Sequence, residues 1–195
     1  MSAAQEEETV ASRTPTAVAL EETLVWLCAI PSPIGEEKAL CDAVVERLSA
    51  LPLDEPIRRY GDSIVVPVVR RRVEGRPHVA LVGHLDTVRT ENGPARRERG
   101  RVYGAGAADM KAGLAVMIVA AELAAGLVEC ELTMVFYARE EGPYAENELG
   151  PVLEKDADLI EIARETAEKL IHDNSPTVVR HLDRWLGSRQ FYLKA

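Results

Sequence analysis

Aromatic residues, cysteines and long apolar runs are all scarce in this chain of 195 residues. Aromatic side chains make up only 5% of the sequence, so a base-stacking platform for nucleic acid is not expected. The three cysteines, Cys28, Cys41 and Cys130, form neither a metal cluster nor an even disulfide set, which is typical of a reducing cytosol. The longest apolar run, residues 112–128, is broken by Glu122 and falls short of the roughly 20 residues that a membrane span needs. We therefore expect neither a disulfide scaffold nor a membrane protein.

The remaining composition is that of an ordinary globular protein. Hydrophobic residues make up 47% and charged residues 28%, which excludes a wholly disordered chain. The length predicts one domain with at most a small appendage. Residues 1–16 are polar and include Glu6, Glu7 and Glu8, so we expect a disordered tail and no signal peptide. These features predict a cytoplasmic protein.

The net charge of −9 is unevenly distributed along the chain. Residues 58–101 contain eleven arginines against five acidic residues, a local net charge of +6. No aromatic platform or Lys-rich helix accompanies these arginines, so we interpret them as a solvated face of hairpins and loops. Two alternatives remain open: an RNA-binding arm, and a few arginines that bind an anionic substrate.

Hydrophobic periodicity predicts a chain that alternates between helices and strands. Helices are expected over residues 20–27, 36–51, 110–125, 158–170 and 177–186, and strands over residues 64–69, 78–82 and 132–137. Pro67 suggests an edge position for the first strand, whereas the continuous apolar run 78–82 suggests a strand buried on both faces. The order strand, helix, strand after residue 78 predicts an α/β fold with a largely parallel sheet.

Three polar clusters follow these predicted elements. The segments are residues 83–88, with His84 and Asp86; residues 104–111, a glycine-rich loop with Asp109; and residues 140–142, with Glu140 and Glu141. The first and third come directly after predicted strands, and the second leads into the helix between them. Because functional residues gather beyond the carboxyl ends of strands, we expect these side chains to converge.

A neutral imidazole with several carboxylates suits Zn²⁺, Co²⁺ or Mn²⁺. The carboxylate of Asp86 is placed to accept the imidazole N–H of His84 and so to select the tautomer that binds metal. Asp109 is suited to bridging two ions. Of Glu140 and Glu141, one would bind metal and the other would take a proton from metal-bound water.

Each cluster taken alone has an ordinary explanation. His84 is compatible with a hydrogen-bonded core histidine, Asp109 with a helix N-cap, and Glu140 and Glu141 with an exposed acidic pair. The glycine-rich loop also resembles a dinucleotide-binding fingerprint. However, Asp109 occupies the third glycine position of that pattern, where its charge would repel a pyrophosphate. The placement of all three clusters at consecutive strand and loop edges favours the metal site.

The segments His84-Leu-Asp-Thr-Val, Gly104-Ala-Gly-Ala-Ala-Asp-Met-Lys and Glu140-Glu-Gly resemble the ordered signatures of the M20 family of zinc aminoacylases and carboxypeptidases. Ile30-Pro-Ser-Pro resembles that family's N-terminal segment, and the loop with residues 58–63 is most similar to succinyl-diaminopimelate desuccinylases. The resemblance covers about residues 20–158. It implies a three-layer α/β/α catalytic domain over residues 17–158, followed by a helical segment, 159–195.

The resemblance also implies a role for each residue. His84, Asp109 and Glu141 would bind one or two Zn²⁺ ions, Asp86 would orient His84, and Glu140 would be the general base. The implied reaction is hydrolysis of the amide of a small N-acyl amino acid, such as succinyl-diaminopimelate, by a metal-bound water. No nucleic acid and no membrane is expected as a partner.

The sequence departs from the family pattern in several places. Ala105 stands where the family usually has arginine. The family's lid and dimerisation domain is not recognisable, although a homodimer remains possible. The family's carboxylate ligand for a second metal and its late metal-binding histidine are not recognisable either. Glu161 is the nearest candidate for the carboxylate, whereas His172 and His181 are interpreted as surface histidines. An alternative function is therefore a catalytically silent remnant of the fold, or an interaction module.

Overall fold

The computed structural model describes residues 14–70, 77–90, 93–124 and 130–172, with side chains up to residue 166. The chain divides into two compact units, residues 1–152 and residues 153–195. The tail predicted for residues 1–16 lies almost wholly outside the described residues. The first helix begins at Pro15, and Thr14 caps it by accepting a hydrogen bond from the Ala17 amide at 3.2 Å. The domain boundary predicted after residue 158 stays a prediction.

The described elements follow the predicted order of helices and strands. The helices are α1 (Pro15–Ala29), α2 (Lys38–Ser49), α3 (Ala112–Ala124), α4 (Leu149–Lys155) and α5 (Ala157–His172). The strands are β1 (Arg58–Tyr60), β2 (Ser63–Val69), β3 (His78–His84), β4 (Arg96–Glu98), β5 (Arg101–Tyr103) and β6 (Glu131–Tyr137). An irregular helical turn, Ala107–Lys111, precedes α3, and a short 3₁₀ turn spans Tyr144–Glu146. The helix predicted over residues 177–186 lies outside the described residues.

The main sheet has the strand order β1-β2-β6-β3, and its β3 and β6 strands are parallel with α3 between them in the chain. This strand–helix–strand unit confirms the α/β class. The expectation of a largely parallel sheet is wrong, because β1 pairs antiparallel with β2, and β2 pairs antiparallel with β6. Only Gly61 and Asp62 separate β1 from β2, and so short a connection must reverse the chain. The sheet is therefore mixed.

The position of Pro67 differs from the prediction of an edge strand. Its strand, β2, lies between β1 and β6. However, β1 pairs only with residues 63–65, so in the described chain no strand faces Pro67 on the β1 side. On the other side the register with β6 shifts between Pro67 and Val69. Proline lacks an N–H, and this irregular end of β2 is a place where a strand tolerates that loss.

The β3 strand is less buried than its apolar sequence predicted. Residues 78–81 are only partly buried, and Val82 is 42% exposed. The reason is that β3 is the last strand of the described sheet, paired with β6 alone. Its sequence is typical of a strand buried on both faces, but in the described chain it lies at the edge of the sheet with a neighbour on one side only.

The core of the first unit lies between the sheet and its helices. Gly83 of β3 allows the close approach of α3, since an added Cβ would lie 2.7 Å from a side-chain carbon of Leu114. Arg47 of α2 links the helices, with Nε donating to Glu122 of α3 at 2.7 Å and Nη2 to Thr23 of α1 at 2.9 Å. These contacts hold the three helices together and pack α3 against β3.

The second unit contains α5, whose start is determined by Asp156. The carboxylate of Asp156 accepts hydrogen bonds from the amides of Asp158 at 3.2 Å and Leu159 at 3.3 Å, as an N-cap residue does. The helix predicted over residues 158–170 is thereby confirmed. Among the described residues, no helix is both long and apolar enough to cross a membrane.

Candidate active site

The polar residues that the sequence singled out converge at one edge of the parallel strand pair. His84, the last residue of β3, pairs with Tyr137, the last residue of β6. Asp86 follows the first strand, and Glu140 and Glu141 follow the second. Because parallel strands end at the same edge, the loops after β3 and β6 lie side by side. The expected convergence is therefore present in the structure.

Asp109 reaches the same edge from the glycine-rich loop before α3. Gly106 adopts a left-handed conformation with φ of 72°, and an added Cβ would lie 2.5 Å from Cγ2 of Thr87. Glycine is thus required here both for the backbone angle and for the close packing of the two loops. The amide of Lys111 donates to the carbonyl of Gly106 at 2.8 Å and closes the turn. This turn leaves Asp109 with a side chain that is 77% exposed.

The imidazole of His84 is held between the two loops. Its Nε2 atom lies 3.1 Å from Oδ1 of Asp109 and 4.0 Å from Oε2 of Glu140. Its Nδ1 atom lies 3.1 Å from the main-chain oxygen of Asp86 and 3.5 Å from Oδ1 of the same residue. The nearer acceptor for Nδ1 is therefore the main-chain oxygen rather than the predicted carboxylate. Either acceptor holds a proton on Nδ1 and directs Nε2 towards the acidic residues.

The carboxylate of Asp86 organises the backbone after β6. Asp86 is fully buried, and its Oδ1 and Oδ2 accept hydrogen bonds from the amides of Glu140 at 2.9 Å and Glu141 at 2.8 Å. Burial raises its pKa, but the hydrogen bonds from His84 and from these two amides outweigh burial, so the pKa is lowered. The ionised carboxylate of Asp86 therefore positions the backbone of both glutamates.

Three side chains lie close enough together to be candidate ligands of a single metal ion. One ligand atom from each of His84, Asp109 and Glu141 lies within 4.8 Å of the other two. Ligand bonds of about 2.0–2.2 Å place neighbouring zinc ligands roughly 3–3.5 Å apart, and the 3.1 Å between His84 and Asp109 falls in that range. One imidazole and two carboxylates, with Nδ1 engaged by Asp86, fit Zn²⁺, Co²⁺ or Mn²⁺.

The acidic surroundings shift the pKa values of two proposed ligands. Burial alone would lower the pKa of His84, but Asp86 and Asp109 outweigh it and raise the pKa to about 9. Burial, followed by repulsion from Asp109, raises the pKa of Glu141. Neighbouring carboxylates contribute to both shifts, and a cation would relieve the repulsion among them.

We expect the metal-free protein to lose stability as the pH rises from about 6.5 to about 8. The pKa of His84 is raised in the folded state to about 9 from its usual 6.5, so its proton stabilises the folded state fully below pH 6.5, and this contribution is lost as the pH passes through the folded pKa. The expected loss of stability ends near pH 8, because burial lowers the pKa of Lys111 to about 8 and this group adds stability above that pH. Urea denaturation with a chelator at several pH values measures the effect. His84→Gln should remove the slope; an unchanged slope in this variant would contradict the assignment.

Lys111 is a residue of the site region that sequence reasoning did not single out for a role. It is fully buried, and its Nζ donates to the carbonyls of Leu27 at 3.0 Å and Ile30 at 2.8 Å. It thus satisfies carbonyls at the C-terminal end of α1 and ties that helix to the loop that carries Asp109. The signal available in the sequence was a lysine in an otherwise apolar helix start.

The proline-rich segment after α1 also packs on the site loops. Ser32 donates through Oγ to the carbonyl of Leu85 at 2.8 Å, and its own carbonyl accepts from the amide of Thr87 at 2.9 Å. Pro33 and Thr87 form an isolated parallel bridge. The segment is therefore a structural support for the loop that carries His84 and Asp86.

The remaining sequence candidates lie elsewhere in the chain. Glu161 lies on α5 in the second unit. His172 is the last residue of α5, and its side chain lies outside the described part, as does His181 altogether. The predictions for these three residues stay predictions.

The mixed α/β fold and the converging His, Asp and Glu residues are similar to what the resemblance to the M20 family led us to expect. Residues 80–155 match the sequence profile of Peptidase family M20/M25/M40. This segment contains most of β3, all of α3 and β6, and every residue of the candidate site. The predicted resemblance to the M20 family is confirmed.

Individual relatives agree with this assignment. The chain is 40% identical over 134 residues to a putative succinyl-diaminopimelate desuccinylase of Mycobacterium tuberculosis, covering 67% of this chain and 36% of that protein. It is 35% identical to a succinyl-diaminopimelate desuccinylase of Corynebacterium glutamicum, covering 63% of this chain and 34% of that protein. The chain thus spans about a third of the length of these curated relatives. A solved tripeptidase of Staphylococcus aureus shares the fold, with a TM-score of 0.53 at 23% identity over 64% of this chain and 37% of that one.

Proposed function

We propose that this chain carries the metal-binding part of the active site of a metal-dependent amidohydrolase. The enzyme would cleave the amide of a small N-acyl amino acid. The observation that supports this most directly is the group formed by His84, Asp109 and Glu141, whose ligand atoms lie within 4.8 Å of one another. The similarity to succinyl-diaminopimelate desuccinylases supports an acyl amino acid as the substrate class.

In this proposal His84, Asp109 and Glu141 hold the metal, with Zn²⁺ as the first choice and Co²⁺ or Mn²⁺ as alternatives. When bound, the metal would lower the pKa of a water molecule and polarise the substrate carbonyl. The buried Asp86 keeps Nε2 of His84 directed at the metal by engaging Nδ1. Asp109, with its exposed carboxylate, is suited to reach a second ion as well.

Glu140 has a different role from its neighbour. Its Oε2 lies 4.0 Å from Nε2 of His84, while its side chain is 42% exposed and faces solvent-accessible space. A carboxylate there takes a proton from the attacking water and passes it to the leaving amine. Because the amides of Glu140 and Glu141 both donate to Asp86, the proton acceptor stays beside the metal ligand.

We further propose a cytoplasmic protein whose partner is a small-molecule substrate.

The first test is to measure bound metal and hydrolysis in the same preparation of the 195-residue chain. Protein purified without chelator is expected to contain about one equivalent of zinc by mass spectrometry, because three ligands and a fixed tautomer complete a site. Succinyl-diaminopimelate and acetylornithine are the substrates to compare, with and without added Zn²⁺ or Co²⁺. His84→Ala should lose the metal and the turnover together, since it removes the single imidazole of the ligand group.

His78→Ala is a suitable control, because His78 lies at the other end of β3 and contacts Thr133 at 2.9 Å. It should keep its metal. Equal metal content in the wild type and in His84→Ala would reject the site. Bound metal without turnover of either substrate would favour the catalytically silent alternative.

A further inference from the structure

A large cavity opens beside the candidate metal site. Its volume is about 770 Å³, and its lining includes the carboxylates of Asp109 and Glu141. Thr87 and the backbone of the glycine-rich loop form part of the wall. Cavities of roughly 300–1,000 Å³ hold small organic ligands in proteins. The space next to the proposed metal can therefore take more of a substrate than the amide alone.

Another part of the lining comes from the β4–β5 hairpin. Arg96 pairs directly with Tyr103 across the two strands, and both line the cavity. The guanidinium carbon of Arg96 lies 4.7 Å from the centroid of the Tyr103 ring. Such cation–π stacking orients an arginine and restricts its rotamers. Arg96 is thus directed by its cross-strand partner.

Arg96 provides the positive charge of this cavity. It is the one basic residue among the described residues that line the cavity, whereas Asp109 and Glu141 are acidic. The Nε atom of Arg96 lies 3.6 Å from Glu98, which is an ion-pair distance and longer than a hydrogen bond. A guanidinium has five N–H donors in a planar fork, and that fork matches a carboxylate in a bidentate pair.

The neighbouring arginine provides an internal comparison. Arg97 follows Arg96 on β4, and successive strand residues point to opposite faces. Its Nε accordingly lies 3.1 Å from Glu21 of α1, and Arg97 does not belong to the described lining of the large cavity. The two arginines share sequence context and charge but differ in what they face.

We propose that Arg96, stacked on Tyr103, binds a free carboxylate of the substrate and thereby selects acidic substrates at this site. The inference rests on the proposed amidohydrolase function and extends it, because it names a residue that recognises the part of the substrate away from the amide. The carboxylate comes either from a dicarboxylic acyl group such as succinyl or from the amino acid itself. Recognition of a carboxylate by the guanidinium is the same in both cases, and the kinetic experiment distinguishes the two sources of the carboxylate.

The kinetic experiment compares four amides with and without a carboxylate at each end: N-succinylalanine, N-acetylalanine, N-succinylalaninamide and N-acetylalaninamide. Arg96→Gln is expected to lower kcat/KM by about tenfold or more for the amides that carry the recognised carboxylate, the size of one lost charge-assisted hydrogen-bond pair. A loss restricted to the two succinyl compounds identifies the acyl carboxylate. A loss restricted to the two compounds with a free α-carboxylate identifies the amino acid end.

Arg97→Gln is the matched control and should leave all four values unchanged, and Arg96→Lys should recover part of the preference because it keeps the charge but not the fork. Equal values for wild type and Arg96→Gln with every amide, or an equal loss with the neutral N-acetylalaninamide, would overturn the proposal.

A binding measurement keeps this inference separate from the proposed function. With zinc present, calorimetry compares three ligands that carry a carboxylate: succinate; its half-amide succinamate, which lacks one charge; and the zwitterion alanine. Arg96→Gln should weaken the binding of succinate, or of alanine if the α-carboxylate is recognised, by about tenfold while Arg97→Gln does not. If no amide is hydrolysed but this pattern is found, the amidohydrolase proposal fails and the carboxylate subsite stands. If Arg96→Gln binds all three ligands as the wild type does, the subsite is rejected whatever the activity.

Discussion

Replacement of Glu140 by glutamine is expected to lower the rate of amide hydrolysis by about two to four orders of magnitude while the metal content stays at the wild-type level. Glutamine has nearly the same shape but cannot accept the proton from the attacking water. Glu140 lies beside the ligand group without belonging to it, and its Oε2 atom is 4.0 Å from Nε2 of His84. Steady-state kinetics and metal analysis of the same preparation measure the hydrolysis rate and the metal content.

The adjacent Glu141→Gln should show the opposite order of effects. Glu141 belongs to the ligand group, so its replacement removes metal first and activity as a consequence. Glu146→Gln is a charge-matched control, because Glu146 pairs with Arg139 at 3.0 Å on the surface, with its side chain 53% exposed. If Glu140→Gln loses its metal, or keeps full activity, the assignment of the two glutamates is wrong.

Asp86→Asn is expected to weaken metal binding by about ten- to a hundredfold, the usual effect of removing a residue that orients a metal-binding histidine. The variant should also destabilise the metal-free protein by about 3 kcal/mol. The reason is that each carboxylate oxygen of Asp86 accepts an amide N–H, one from Glu140 and one from Glu141. An asparagine can accept only one of these bonds, and its NH₂ group then faces the other donor in a fully buried position.

Zinc titration with a competing chelator measures the affinity, and urea denaturation of the metal-free protein measures the stability. Asp62→Asn is the control, since Asp62 lies on the β1–β2 turn and contacts Arg59 at 3.1 Å in an exposed pair. It should change the free energy of unfolding by less than about 0.5 kcal/mol. Wild-type metal affinity in Asp86→Asn would show that the main-chain oxygen alone orients His84.

The candidate site was predictable because its residues lie at the ends of elements that the hydrophobic pattern predicts well. The apolar runs that became β3 and β6 end immediately before His84 and shortly before Glu140. Parallel strands must end at one edge, so order along the chain implied proximity in space. Individual contacts were harder to predict from the sequence. The choice between the main-chain oxygen and the carboxylate of Asp86 as the nearest acceptor for His84 depends on loop geometry of a few tenths of an ångström.

Lys111 and Arg96 show what a pattern of residue types cannot reveal. A lysine at the start of an apolar helix is usually exposed, and burial of Lys111 depends on two carbonyls at the end of α1, more than 80 residues away in the chain. Arg96 is one of eleven arginines in residues 58–101. Only the strand register, which puts Arg96 against Tyr103 and Arg97 against α1, separates it from its neighbours.

The sequence by itself determined the α/β class, the helices and strands of the strand–helix–strand unit, and the five residues gathered at its edge. These properties follow from local periodicity and from chain order, which are fully written in the residues. The tertiary structure alone decided the mixed sheet, the exposure of β3 and the surroundings of Lys111 and Arg96. Each of these depends on which distant segments pack together, and strand pairing and burial are energies of the whole fold rather than of any one segment.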